Sequence, residues 1–288
     1  MRWLVTGGAG FTGKHLIAAL RARGDEVASV GRAPGEDVRC DLTDPGAVAE
    51  ALRLARPDRV IHLAAVASVV HAKPDNFFRI NVEGTENLLR ACAALTSPPQ
   101  VALASSSNVY GVHTSLVSEN SQTMPVSDYG RSKLAMESSA AGWAARLPIL
   151  IARPFNYTGP GQSEHFLVAK IAAHFRARAP RIELGDIEVL RDFSDVRDIV
   201  EDYLLLFDNW PGSGEIVNLC SGRAASIAFI INELTELSGH QMKIDQNPAL
   251  LRRQEIPVLV GDPSKLIRIT KRSRRRPLTE TLSSMLAP

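Results

Sequence analysis

RWLVTGGAGFTGKHLIAALRARG, Arg2 to Gly24, is the stretch that decides how this chain folds. Arg2 to Thr6 reads as a short buried strand, apolar apart from its first residue. Gly7, Gly10 and Gly13 follow at intervals of three. Lys14 to Gly24 then places Leu16, Ile17 and Leu20 on one helical face, with Gly24 as a stop. Strand, glycine turn and amphipathic helix form the context that a dinucleotide site requires. Gly7 permits the tight turn, Gly10 lets the backbone approach a pyrophosphate, and Gly13 allows the helix to pack on the strand. Around Phe11 and Thr12 the helix amides have no intrahelical partner and face the anion.

The pattern repeats down the chain. Glu26 to Val30 reads as a second strand. It ends in Gly31-Arg32-Ala33, with no carboxylate to hold the adenosine ribose hydroxyls, and Arg32 suits a 2′-phosphate. NADPH is therefore the expected cofactor, ahead of NADH or NAD. Val38 to Cys40 reads as a third strand. Asp41 after it is placed to accept from an adenine amino group, with Leu42 packing on the ring. Asp44 caps a helix from Pro45 to Arg56. Arg59 to Leu63 is a fourth strand, and Ala64-Ala65 lets the backbone close over the cofactor. Asn81 heads a long helical run to Leu95, its side chain bridging backbone groups of neighbouring strands. These units predict an α/β fold, a Rossmann-like doubly wound parallel sheet, with a smaller C-terminal substrate lobe built after Asn156. The expected division is 1–155 for the dinucleotide, with returns near 186–226, and 156–288 mainly for the substrate.

A second pair of motifs carries the chemistry. VALASSSNVYG, from Val101, is an apolar run ending in three serines, and YGRSK spans Tyr129 to Lys133. Tyr129 and Lys133 are four apart, which on a helix puts them on one face, one turn apart. A phenol ionises near pH 10 in water, and a neighbouring ammonium lowers that value. A serine hydroxyl from the preceding strand would share the proton and hold a substrate oxygen. Such a relay suits the interconversion of an alcohol and a ketone.

The bulk properties narrow the class. The chain has 288 residues, 45% of them hydrophobic, and a formal net charge of +2, so the whole molecule offers no strong field for nucleic acid or membrane. Three scattered cysteines, Cys40, Cys92 and Cys220, form no metal-binding spacing and fit reduced, buried thiols in a cytoplasmic protein. The amino terminus enters a strand at once, so neither a signal peptide nor a membrane span is expected.

TGGAGFTG, DLTD, HLAA, NVEGT, SSSNVYG, YGRSK and RPFNYTGPGQ occur in that order. The set is similar to the extended short-chain dehydrogenase/reductases, in their nucleotide-sugar branch, and spans at least residues 1–162. By resemblance Tyr129 is the catalytic acid/base, Lys133 lowers its pKa and binds the nicotinamide ribose, and Ser106 orients the substrate oxygen. The resemblance also implies a homodimer through the helices beginning near Asn81 and Asp128. The segments RPFNYTGPGQSEHF, GDIEVLRDFSDVRDIV, NLCSG and LRRQEIPVLVGDPSKL resemble the group that holds GDP-mannose 4,6-dehydratase and GDP-6-deoxy-D-mannose reductase. Dehydratases place a carboxylate two residues before the tyrosine of the xYG segment. Here that place is Asn108, which cannot act as a base. The implied activity is NADPH-dependent reduction of a GDP-4-keto-6-deoxyhexose. A 4-epimerase, a dehydratase-like enzyme and a catalytically silent binding protein are the rival expectations.

Expectations for the substrate follow. Ser68, Ser107 and Asn108 line the sugar pocket. Asn156 and Gln162 sit on the loop PFNYTGPGQ, where Asn156 reaches a sugar or pyrophosphate group. Arg191, between apolar neighbours, would be satisfied by a diphosphate. Arg252 grips phosphate, and Glu255 accepts from ribose hydroxyls or guanine nitrogens. The tail KRSRRR, Lys271 to Arg276, reads as a solvated basic face.

Overall fold

The computed structural model describes residues 1–66, 74–251 and 256–287. In chain order they form β1 (Arg2–Thr6), α1 (Phe11–Ala22), β2 (Glu26–Gly31), β3 (Val38–Arg39), α2 (Pro45–Ala55), β4 (Arg59–His62) and α3 (Pro74–Phe78). A π-helical turn, Arg79–Glu83, leads into α4 (Gly84–Ala93), then β5 (Gln100–Ala104), a 3-10 turn at Ser107–Val109, and α5 (Asp128–Ala141). Next come β6 (Ile149–Pro154), β7 (Asn156–Thr158), α6 (Leu167–Arg176), β8 (Arg181–Leu184), β9 (Leu190–Asp195) and α7 (Val196–Asp208). The chain ends with β10 (Glu215–Leu219), β11 (Ala224–Ser226), α8 (Ile227–Ser238), β12 (Lys243–Gln246), β13 (Val258–Leu259), α9 (Ser264–Thr270) and α10 (Leu278–Leu286).

Seven strands form one parallel sheet in the order β10-β6-β5-β4-β1-β2-β3. Side chains alternate across a strand, and both faces here are apolar. In β1, Leu4 joins Val60, Val101 and Ile149 under α2, α4 and α5. Trp3 and Val5 point the other way and pack with Ile61, Leu150 and Val217 under α1 and α7. A parallel sheet buried on both sides demands such runs. The order in which strands are added reverses beside β1: β2 and β3 lie on one side, β4 and β5 on the other. The carboxyl ends of β1 and β4 therefore flank the switch point where open α/β sheets take their ligands.

A separate apolar core joins α6, α8 and α10 through Ile171, Phe175, Ile230, Leu234, Leu282 and Met285, with Ile182 and Leu184 of β8. β9 pairs with β7, β11 and β13, so a small mixed sheet ties the loop after β6 to this lobe. The helix caps follow the local chemistry: Asp44 accepts from the Gly46 and Ala47 amides, Asp195 from Arg197, and Ser226 from Phe229.

The basic tail is not a solvated face. Arg272, Arg275 and Arg276 reach α7 and pair with Asp198 and Asp202, both buried. The expected helix at Asn81 also differs. The chain is already helical from Pro74, and Asn81 sits inside the π-helical turn. Among the described residues no helix is long and apolar enough to cross a membrane, and no His, Cys, Asp and Glu cluster could hold a metal. All three cysteines are buried and free.

Candidate active site

The glycine turn lies where β1 meets β4. Gly7 adopts φ +73°, and its Cα faces the Ala64 backbone so closely that a Cβ would come within 3.0 Å. The Leu63 and Ala64 backbone thus forms the wall opposite the turn. Gly10 is the N-cap of α1 and no side chain caps that helix, so its first amides at Phe11 and Thr12 are open to an anion. The loop after β6 closes over this end. The Thr12 and Tyr157 hydroxyls are 2.8 Å apart, and the Phe11 and Tyr157 rings stack at 6.1 Å. These residues fit a dinucleotide pyrophosphate.

The reactive side chains converge from two elements. Ser106 follows β5 and caps the 3-10 turn, and Tyr129 and Lys133 sit on the first turns of α5. Gly130 makes this approach possible, since a Cβ there would lie 2.6 Å from the Asn108 carbonyl oxygen. The Ser106 hydroxyl beside Tyr129 draws the phenol down. Burial outweighs it and pushes Tyr129 up to about 12. The sequence pattern predicted the opposite sign, from the Lys133 ammonium. Burial instead pushes Lys133 itself down to about 8, and its Nζ donates to the Ala104 carbonyl at 2.7 Å. Desolvation is the largest cause of both shifts.

Behind them runs a closed set of neutral hydrogen bonds. The Thr85 hydroxyl donates to the Asn81 carbonyl at 2.7 Å and lies 2.9 Å from His62 Nε2. His62 Nδ1 is 2.6 Å from the Thr6 hydroxyl, which accepts from the Ala64 amide. With the Thr85 proton committed, His62 carries its own on Nε2 and accepts at Nδ1. Burial, followed by the charge of Lys133, pushes His62 down to about 3, so it stays neutral. Asn81 Oδ1 accepts from the Val66 amide, and its Nδ2 donates to Ser132, which donates in turn to the Tyr129 carbonyl. The expectation that Asn81 bridges neighbouring strands is corrected. It bridges the loop after β4 to the helix that carries the phenol.

A family model described as "NAD dependent epimerase/dehydratase family" matches residues 3–220. The chain belongs to that family. It is an NAD(P)-dependent, nucleotide-sugar-modifying oxidoreductase of the extended short-chain type. It is 38% identical over 271 residues to GDP-6-deoxy-D-talose 4-dehydrogenase of Aggregatibacter actinomycetemcomitans, covering 93% of this chain and 91% of that one. It is 36% identical over 282 residues to GDP-6-deoxy-D-mannose reductase of Pseudomonas aeruginosa, covering 92% and 89%. The structure of RMD from Pseudomonas aeruginosa complexed with NADPH superposes with a TM-score of 0.88, at 33% identity and coverage of 99% and 96%.

In this epimerase/dehydratase family member the outer residues are disposed less uniformly. Arg32 is exposed, with Nη1 3.6 Å from Asp41 Oδ2. The other Asp41 oxygen takes the Thr43 amide and hydroxyl, and the amide above all holds the carboxyl below its usual range. Leu42 is buried against Gly84. Sequence reasoning found no acid beside the ribose position and missed Glu36, five residues beyond β2. Its Oε1 accepts from the Ala9 amide in the glycine turn at 2.9 Å, and its Oε2 is buried without a hydrogen-bond partner. The carboxylate lies against Gly8 and Gly31. The bare Gly31 was a sequence sign that something must fill the space above it. Tyr157 was missed as well, although it is quoted within PFNYTGPGQ.

Ser105 donates to Glu137, which also holds Arg153 through two bonds of 2.9 and 2.6 Å. Ser107 is buried at the start of the 3-10 turn, and Asn108 donates to Ser106. Asn156 is half-buried on β7. Gln162 is turned inward: it donates to the Tyr157 carbonyl and accepts from Thr158, so its amide stiffens its own loop. Arg191 Nη1 donates to the Leu190 and Pro257 carbonyls at 2.9 and 3.4 Å. Ser68, Arg252 and Glu255 lie outside the described residues.

Proposed function

We propose that the enzyme reduces the 4-keto group of a GDP-4-keto-6-deoxyhexose to the corresponding GDP-6-deoxyhexose, with a GDP-D-rhamnose-type product. The observation that carries this reading is Ser106 beside Tyr129, one turn before Lys133, with an amide and not a carboxylate at Asn108. Such a site can deliver a proton to a ketone oxygen. It lacks at Asn108 the base that an elimination needs.

The reduced dinucleotide, when bound, supplies a hydride to the carbonyl carbon. Tyr129 gives its proton to the carbonyl oxygen, which Ser106 helps to hold. The alcohol leaves, and the phenolate recovers a proton from solvent. Lys133 keeps a positive charge one turn away while that phenolate exists. Gly7, Gly10, Gly13, Phe11 and Thr12 hold the pyrophosphate, and Arg32 and Glu36 meet the adenosine ribose with opposite charges. Arg32 favours a 2′-phosphate and supports NADPH, while Glu36 suits ribose hydroxyls. Residues 1–155 with the returning β10 and α7 serve the dinucleotide, and the lobe after Asn156 serves the sugar nucleotide.

The test is turnover of GDP-4-keto-6-deoxymannose with NADPH, followed by cofactor absorbance and by the carbon-4 configuration of the product. Stoichiometric NADPH loss is expected, and Tyr129→Phe should slow it by about 100-fold or more. Interconversion of sugars without net cofactor change marks an epimerase and overturns the reading.

A further inference from the structure

We propose that Glu137 is a positioning residue that keeps Lys133 charged and seated against the end of β5. This rests on the reading that the Lys133 ammonium steadies the Tyr129 phenolate. Tyr129, Lys133 and Glu137 follow at intervals of four on α5, so the three share one face, a turn apart. Two of them grip consecutive residues of the neighbouring strand. Lys133 Nζ donates to the Ala104 carbonyl at 2.7 Å, and Glu137 accepts from the Ser105 hydroxyl. The next residue is Ser106. The helix that carries the phenol is thereby tied to the strand end that carries the serine.

Glu137 and its partner Arg153 are 5% and 4% exposed. Arg153 Nε and Nη2 donate to the carboxylate at 2.9 and 2.6 Å. A pair so enclosed gains little stability over apolar side chains of the same volume. What it adds here is a fixed negative charge one turn from a buried ammonium. Burial pushes Lys133 down to about 8, and the Glu137 charge opposes that fall. Without it the amine would lose its proton nearer neutrality, and the phenolate would form with no cation beside it. The other groups around Lys133 hold one charge state over this range. His62 on β4 stays neutral, pushed by burial down to about 3. Burial pushes Tyr129 up to about 12, and likewise Tyr110, whose ring lies under the Arg153 guanidinium. Tyr157 on β7 and Tyr203 on α7, near Tyr129, are raised by burial too. Arg153 does not titrate. A shift of the alkaline limb of turnover between about pH 6 and 10 therefore reports Lys133.

The test compares wild type with Glu137→Gln, with the double variant Glu137→Gln/Arg153→Met and with Lys133→Met, using the ketone substrate and NADPH. Glutamine keeps the size of Glu137 and removes its charge. In Glu137→Gln the alkaline limb of kcat should move down by about one unit. Turnover then falls about fivefold at about pH 8 and stays within about twofold of wild type at about pH 6. A merely structural carboxylate would lower turnover by the same factor at both. Carbon-13 NMR of the lysine ε-carbon, assigned by its loss in Lys133→Met, reads the same ammonium without turnover and should move down with the limb. A lone Arg153 cation destabilises the single variant. The double variant removes that cation, and its Lys133 titration should still lie below that of wild type. An unmoved titration in either folded variant overturns the assignment, as does an equal loss of turnover at both pH values. Loss of folding in both variants marks a structural carboxylate and overturns it as well. Full activity of Lys133→Met instead sinks the reading of the ammonium as the phenolate's partner.

Discussion

Two polar clusters are buried on opposite faces of the main sheet, and they are built on opposite principles. Under α4 the cluster of Thr6, His62, Thr85, Asn81 and Ser132 carries no charge. Each donor meets one acceptor, and the line ends on the main chain of Tyr129. Beneath the tail, Asp198 and Asp202 of α7 face Arg272, Arg275 and Arg276. There burial raises Asp202 to about 6 despite two arginines, so desolvation outruns attraction. The contrast teaches a division of labour. A neutral chain positions the phenol without adding a field to the pocket. An ionic clamp holds the tail to α7 but depends on every partner staying.

The contrast is most exposed at Arg275. Arg275→Leu should strand part of the buried charge on Asp202 and cost about 3 kcal/mol in denaturant unfolding. A loss below about 1 kcal/mol would mean the clamp behaves like an ordinary surface pair.

The two clusters should also differ in the sign of their pH dependence. His62 is depressed from 6.5 to about 3, so the unfolded chain binds its proton first as pH falls. Its contribution is present above about 6.5 and is lost toward 3. Asp202 is raised from 3.8 to about 6, so its contribution is present below 3.8 and is lost as pH rises through 6. Between pH 4 and 6 the stability of wild type minus that of His62→Asn should rise by about 1.4 kcal/mol per unit. Wild type minus Asp202→Asn should fall over the same window. Curves of equal sign break the comparison.

Smaller effects sharpen it. Thr85→Val leaves the His62 Nε2 proton without its acceptor and should cost about 1–3 kcal/mol, read by thermal and denaturant unfolding. Glu36→Gln removes a like charge beside the glycine turn. It should improve NADPH binding about fivefold relative to NADH, the equivalent of about 1 kcal/mol for a screened pair. Fluorescence titration of each dinucleotide checks it, and an unchanged ratio removes Glu36 from cofactor selection.

Much of this was legible because it is local. The β1–glycine–α1 unit, the cap at Asp44, and the i,i+4 pair Tyr129–Lys133 are each local in sequence, where backbone geometry leaves little choice. The alternation of strand and helix units pointed to a doubly wound parallel sheet, while the order of its strands came only from the structure. The sign of the Tyr129 shift was not legible, because desolvation depends on what covers the phenol, and Phe77, Tyr157 and Tyr203 arrive from three distant segments. The basic tail misled for the same reason: its partners lie some 70 residues away, on α7.

Sequence alone determined the dinucleotide-type fold, the tyrosine–lysine face and the missing base at Asn108, since each is a matter of spacing or residue chemistry. Only the tertiary structure decided that Glu36 fills the space over Gly31, that Gln162 and Arg191 are already engaged, and that three arginines clamp α7. Those outcomes depend on which side chains long-range folding brings within about 3 Å, where hydrogen bonds and desolvation act and where no local pattern reaches.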